Sequence, residues 1–185
     1  MTAISPARTR CPADLVTAIR GATGQHTDWQ QTADLVAERL RRHLPSPDQL
    51  LTAAEREGNP VDYECSVLHV EPDGAFSVTA MVWRPGQVTP VHDHVTWCVF
   101  GVLQGVEYEE LFALTDDGRQ LRDVGRNENH IGSVSGFAPP GDIHRVRNIG
   151  DDVAISLHVY GADITRLGSS VRRTYDLPVL AASAG

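Results

Sequence analysis

No apolar run in the chain approaches the roughly 20 residues that a membrane-spanning helix needs. The first residues, Met1-Thr-Ala-Ile-Ser-Pro-Ala-Arg8, also lack the apolar core of a signal peptide. Positive charge is scarce: 16 Lys and Arg against 24 Asp and Glu leave a net charge of −8. That balance argues against nucleic acid as a partner, because phosphates call for a basic surface. Cysteine is scarce too. Cys11, Cys65 and Cys98 are too few and too irregularly spaced for a disulfide framework, and no CxxC pair marks a zinc site. Repeats and low-complexity tracts are missing. These absences together predict a soluble, cytoplasmic protein that engages neither membrane nor nucleic acid. Its 185 residues suffice for one domain with a sizeable core and are too few for two full ones.

Two textures divide the chain. Residues 1–58 read as a helical segment packed on the remainder of the chain, with amphipathic stretches at Asp14–Arg20 and Thr32–His43, the latter placing Leu35, Val36 and Leu40 at helical spacing. A third helix opens at Ser46, which is followed by Pro47 at the first helical position and Gln49 at the capping-box position. Residues 59–185 change to short β-rich runs separated by turn signals: Cys65–Val70, a turn through Gly74, Ala75–Trp83, then Arg84-Pro-Gly86. Such spacing predicts an antiparallel barrel or sandwich rather than a βαβ sheet. The tail Ala181-Ala-Ser-Ala-Gly185 reads as frayed.

Against this background two histidines stand out. His92 and His94 are two apart, so on a strand their side chains share one face and can close on one metal ion. His144 completes a set of three if the fold returns a second strand beside the first. His26, His43, His69 and His130 fall in no ligand pattern and read as solvent or packing residues. The three chosen ones sit in two constrained blocks. Gly86, His92-Asp-His94, Cys98 and Gly105 make the first, and Pro139, Gly141, His144 and Asn148 the second. These blocks resemble the two cupin motifs, which implies a mainly β, double-stranded β-helix (a jelly-roll barrel) preceded by the helical segment. Many cupins place a glutamate ligand where this chain has Cys98. Three imidazoles without a carboxylate leave the full 2+ charge of an ion exposed to an anionic substrate. Zinc with three histidines and a water stays open on ligand count alone.

A second constellation lies beyond His144. In Ile155-Ser-Leu-His-Val-Tyr160 the side chains of Ser156, His158 and Tyr160 fall on one face of a strand. Alternation alone describes a surface strand with a polar outside. If the strand instead faces the metal, Ser156 and His158 can orient the Tyr160 phenol by hydrogen bonds.

Taken together, His92-Asp-His94, His144 and Ser156-x-His158-x-Tyr160 resemble the thiol dioxygenases, the cupin family of cysteine dioxygenase and 3-mercaptopropionate dioxygenase, over roughly Tyr63 to Tyr175. The resemblance implies Fe(2+) held by His92, His94 and His144. Its implied partners are a small-molecule thiol and O2, its product is the sulfinic acid, and Tyr160, His158 and Ser156 support the chemistry. It also implies a possible thioether between Cys98 and Tyr160. The family's Tyr-x-Arg carboxylate clamp is absent, because Tyr63-Glu-Cys65 has cysteine in the arginine's place. Arg172 and Arg173 resemble the clamp of the mercaptopropionate type instead, and a bidentate guanidinium suits a carboxylate. A thiol carboxylate, 3-mercaptopropionate or cysteine, is the expected substrate. Two alternatives stay open: a cupin metalloenzyme acting on another small anion, and a cupin that binds metal or ligand without turnover.

Overall fold

The computed structural model describes residues 10–180 and the backbone of Ile4–Ser5; the tail expected to fray, 181–185, lies outside the described residues. Four helices precede the main run of strands. α1 (Ala13–Thr23) buries Leu15, Val16, Ile19 and Ala22, and α2 (Trp29–Arg42) buries Ala33, Val36, Ala37 and Leu40. Asp28 caps α2 by accepting the Gln31 N–H at 2.8 Å. Arg39, Arg41 and Arg42 close it where the helix dipole favours cations. α3 (Pro47–Leu50) and α4 (Ala53–Arg56) are single turns. Gln49 accepts the Ser46 N–H at 2.9 Å, and Glu55 accepts the Thr52 N–H at 2.8 Å. None of the helices among the described residues is long and apolar enough to cross a membrane.

The strands are β1 (Ile4–Ser5), β2 (Glu64–Val70), β3 (Ser77–Trp83), β4 (His92–His94), β5 (Cys98–Gln104), β6 (Val106–Leu114), β7 (Leu121–His130), β8 (Val134–Phe137), β9 (Ile143–Arg147), β10 (Ala154–Tyr160), β11 (Val171–Thr174) and β12 (Val179–Leu180), with a one-turn helix α5 (Ile164–Leu167) after β10. They form two six-stranded sheets, ordered β1-β2-β3-β10-β5-β8 and β11-β4-β9-β6-β7-β12. The helices lie in the first segment as expected, and β1 adds a short strand there, which pairs in parallel with Cys65–Ser66. An edge strand offers unpaired N–H and C=O groups, and a stretch of chain nearby satisfies them.

The helices cover the outside of the first sheet. Ile155, Leu157 and Val159 of β10 join one apolar cluster with Leu15, Ile19, Val36 and Leu40. α2 comes close enough that a Cβ on Gly136 of β8 would lie 3.0 Å from the Ala33 carbonyl oxygen. Burial of β3 and β10 is therefore complete on both faces, and a polar-outside surface strand is ruled out for β10. Ser156, His158 and Tyr160 face the barrel interior.

Gly105 turns β5 into β6 with φ +71°, and a Cβ there would lie 2.9 Å from Cα of Ala154. Gly105→Ala should lose about 1–3 kcal/mol of stability, the usual cost of a strained backbone at one residue. Denaturant unfolding of the two proteins checks this; equal midpoints would show that the turn relaxes freely.

Candidate active site

Strand parity and sheet register bring the histidines together. β4 directs His92 and His94 inward, and His92 pairs in register with His144 on β9. All three are buried, their rings lie 4.7–5.0 Å apart between centroids, and one nitrogen from each falls within 4.8 Å of the others. Each ring is oriented through Nδ1. His92 Nδ1–H donates to the Pro90 carbonyl at 3.0 Å, His94 Nδ1–H to Asp142 at 3.1 Å, and His144 Nδ1–H to Glu109 at 2.7 Å. With Nδ1 protonated in every case, Nε2 carries the lone pair. His144 Nε2 is buried and has no hydrogen-bond partner among the described residues. A buried polar atom is seldom left unpaired, and three such lone pairs facing one another fit a metal ion, each ligand backed by an oxygen acceptor.

Electrostatics support the same assignment. Burial lowers His92 well below the ordinary range, and the neighbouring His144 and His94 add to it; burial likewise lowers His94. Both are therefore neutral, as metal ligands must be. Burial alone would raise Asp142 and Glu109. The bonds from His94 and His144 outweigh it and hold both carboxyls below their usual range. Two carboxylates thus stand behind the imidazoles and offset part of an ion's charge.

Beside the histidines runs the inward face of β10. Ser156 Oγ lies 2.9 Å from His158 Nε2, and Tyr160 Oη lies 3.4 Å from His158 Nδ1. The Tyr160 ring is 6.2 Å from that of His94. Cys98 pairs in register with Tyr160 across β5 and β10, and its buried Sγ is 3.9 Å from His158 Nδ1. Burial pushes the Cys98 thiol and the Tyr160 phenol well above their ordinary ranges, so both stay protonated. A cavity of about 460 Å³ opens onto this group, walled by His92, Tyr160, Tyr63, Cys65, Met81 and Ile164 among others.

Arg172 and Arg173 are elsewhere. Asp93, between the two ligand histidines, points to the opposite face of β4, where its Oδ2 accepts from Arg172 at 2.6 Å, Arg173 at 2.8 Å and Tyr175 at 2.8 Å. Burial would raise the Asp93 carboxyl, but these donors hold it well below the usual carboxylate range. Neither arginine is among the residues lining the cavity.

Glu109 and Asp142 are not singled out by sequence pattern, although a signal existed. Glu107 and Glu109 are two apart on one strand, as His92 and His94 are, and both are buried. Asp142 stands two residues before His144, inside its motif block.

Replacing His92, His94 or His144 by alanine should strip most of the metal, because each supplies one of three protein ligands. His130→Ala should retain it, since His130 is two-thirds exposed. Glu109→Gln and Asp142→Asn should each weaken metal affinity about 10–100-fold. Metal analysis of the purified variants decides; full occupancy in folded His144→Ala would reject the site.

Among solved structures, the chain is similar to a cupin 2 conserved barrel domain protein from Salinispora arenicola CNS-205, with 19% identity over 64% of this chain and 90% of that one and a TM-score of 0.44. It is similar also to a recombinant oxalate oxidase in complex with glycolate (18%, 65% and 63%, TM-score 0.47) and to an oxalate decarboxylase of Bacillus subtilis with Mn(II) centres (23%, 49% and 22%, TM-score 0.40). The chain thus spans about a fifth of that decarboxylase's length. Residues 62–168 match the family described as cysteine dioxygenase type I. That match covers more than half of the chain and runs through all three histidines and the whole of β10: the chain belongs to the cysteine dioxygenase type I family.

Proposed function

We propose that the protein is an Fe(II)-dependent thiol dioxygenase, adding both atoms of O2 to the sulfur of a small thiol to give the sulfinic acid (R–SH + O2 → R–SO2H). The observation that carries this reading is the Tyr160–His158–Ser156 chain, which brings a positioned phenol to the cavity wall beside three metal-ready imidazoles. Passive metal binding has no use for such a phenol. Fe(II) held by His92, His94 and His144 would supply the redox chemistry that joins O2 to sulfur. Its donors would be three imidazoles, two of them backed by the carboxylates of Asp142 and Glu109. Tyr160, kept protonated by burial and by the nearby Cys98 and Cys65, serves as a hydrogen-bond donor toward the reacting atoms. His158 is pushed down to about 3, chiefly by burial, and stays neutral beside it.

Two readings of the thiol differ in charge. A thiol carboxylate requires Arg172 or Arg173 to exchange Asp93 for the substrate. A thiol without a carboxylate is favoured by the cavity wall, which includes Asp62 and no arginine, in a chain that contains no lysine. Its apolar stretch of Cys65, Met81, Val88 and Ile164 suits an uncharged body.

O2 uptake by the iron-loaded protein, with product mass, tests the function on 3-mercaptopropionate, cysteine and cysteamine; no sulfinate from any of them would reject it. On the carboxylate reading, Arg172→Ala or Arg173→Ala raises KM for the two acids about tenfold or more and spares cysteamine, from the roughly 1.5–3 kcal/mol of a charged hydrogen bond. Unchanged kinetics in both variants leave the carboxylate-free reading. Tyr160→Phe should keep the metal and lose on the order of 10²-fold in kcat, as when one positioned donor is removed. Turnover should also join Cys98 to Tyr160, O2 accepting the two hydrogens lost from thiol and phenol. Peptide mapping after complete reduction would find the linked pair, and Cys98→Ser would lack it.

A further inference from the structure

Glu107 lies on β6, two residues before Glu109 and on the same face, in register with Asn129 of β7. It is 1% exposed, and its Oε1 has no hydrogen-bond partner among the described residues. Glu109 holds a metal-ligand imidazole, whereas Glu107 faces Ser156 of β10 and the Trp83 indole of β3. The Trp83 N–H donates to Ser156 Oγ at 3.4 Å. From Ser156 the path runs to His158 Nε2 at 2.9 Å and from His158 Nδ1 to Tyr160 Oη at 3.4 Å. Two side chains, Ser156 and His158, thus connect a buried carboxyl to the phenol at the cavity wall.

We propose that Glu107 is a positioning residue that sets the direction of the hydrogen bonds through Ser156 and His158, and so decides whether the Tyr160 proton faces the cavity. A neutral imidazole has one N–H and one acceptor nitrogen, so His158 must choose. With Glu107 protonated, its O–H donates to Ser156, Ser156 donates to His158 Nε2, and His158 Nδ1–H donates to Tyr160 Oη. The phenol proton is then free to point at the substrate. With Glu107 ionised, Ser156 donates to the carboxylate, His158 Nε2–H donates to Ser156, and Tyr160 donates to His158 Nδ1. The two arrangements differ by one proton, which leaves Glu107 and emerges at the Tyr160 end as each bond reverses.

Burial pushes Glu107 up to about 7; nearby Glu109 reinforces this, while Ser156 and Trp83 pull the other way. The ionisable groups that interact with it are Glu109 along β6 and the Cys98 thiol of β5; β9 sends His144 to Glu109, and β7 and β3 present the neutral Asn129 and Trp83. Because the folded value lies above that of a free glutamate, Glu107 is protonated below about pH 7 and ionised above it. His158 remains neutral throughout, so it changes tautomer and not charge.

The test is ¹⁵N NMR of His158 in the full-length, zinc-loaded, diamagnetic protein from pH 5.5 to 8.5. The wild type should pass from the Nδ1–H to the Nε2–H tautomer with a midpoint near 7, and Glu107→Gln should hold one tautomer across the range. A wild-type tautomer that does not change, or a change that Glu107→Gln leaves in place, overturns the proposal, and the wild-type titration decides even if the variant fails to fold. The kinetic arm rests on the dioxygenase reading, whereas the tautomer arm stands without it. With saturating thiol, kcat of the iron-loaded wild type should fall through about pH 7 toward the rate of Tyr160→Phe, on the order of 10²-fold lower. Glu107→Gln should remove that inflection and leave KM unchanged.

Discussion

The orientation of three imidazoles through their Nδ1 atoms is the constraint on which the site depends. A free histidine exchanges tautomers and rotates, and three of them close together in a barrel would each seek a hydrogen-bond partner. Here a backbone carbonyl and two carboxylates take Nδ1–H of His92, His94 and His144, which commits every Nε2 to the centre. Those acceptors are fixed in turn. Asp142 accepts the backbone N–H of His94 at 2.9 Å, and Glu109 accepts from Asn127 at 3.0 Å. The donor set is therefore held by the protein's own hydrogen bonds, which aim the ring nitrogens at one point where a metal ion would fit.

Alternation along one three-residue strand separates two kinds of chemistry. His92 and His94 face inward, while Asp93 faces outward and gathers two guanidiniums and a phenol onto a single oxygen. The cluster pins β11 against β4, where Val171, Arg173 and Thr174 pair with the ligand strand. The arginine pair thus serves the strand that carries the ligands. Among the residues that line the cavity, Asp62 is the one that bears a carboxyl and none is an arginine.

The inner face of β10 is polar although its outer face lies in the main apolar cluster. Such a strand is stable only if every inward polar group finds a partner. Ser156, His158 and Tyr160 meet this condition by bonding along the strand, and the path ends on Glu107, where Oε1 finds none among the described residues. Polar continuity through the barrel, from β6 across to β10, couples the phenol to a carboxyl that never reaches solvent.

The two histidines on one strand face, the turn through Gly74, the capping residues Ser46 and Gln49 and the alternating Ser156, His158 and Tyr160 were legible in the sequence. Each arises from local geometry: side chains two apart on a strand share a face whatever surrounds them, and a cap acts within four residues. Contacts across the fold were not legible. Whether β10 faced water or core depended on α1 and α2 covering the first sheet. The fates of Arg172 and Arg173 depended on Asp93, some 80 residues away in the chain. Glu109 and Asp142 became acceptors for His144 and His94 only when sheet register set them there. Periodicity is a property of one strand and is written in its residues; partnership is a property of two, and only the folded barrel decides it.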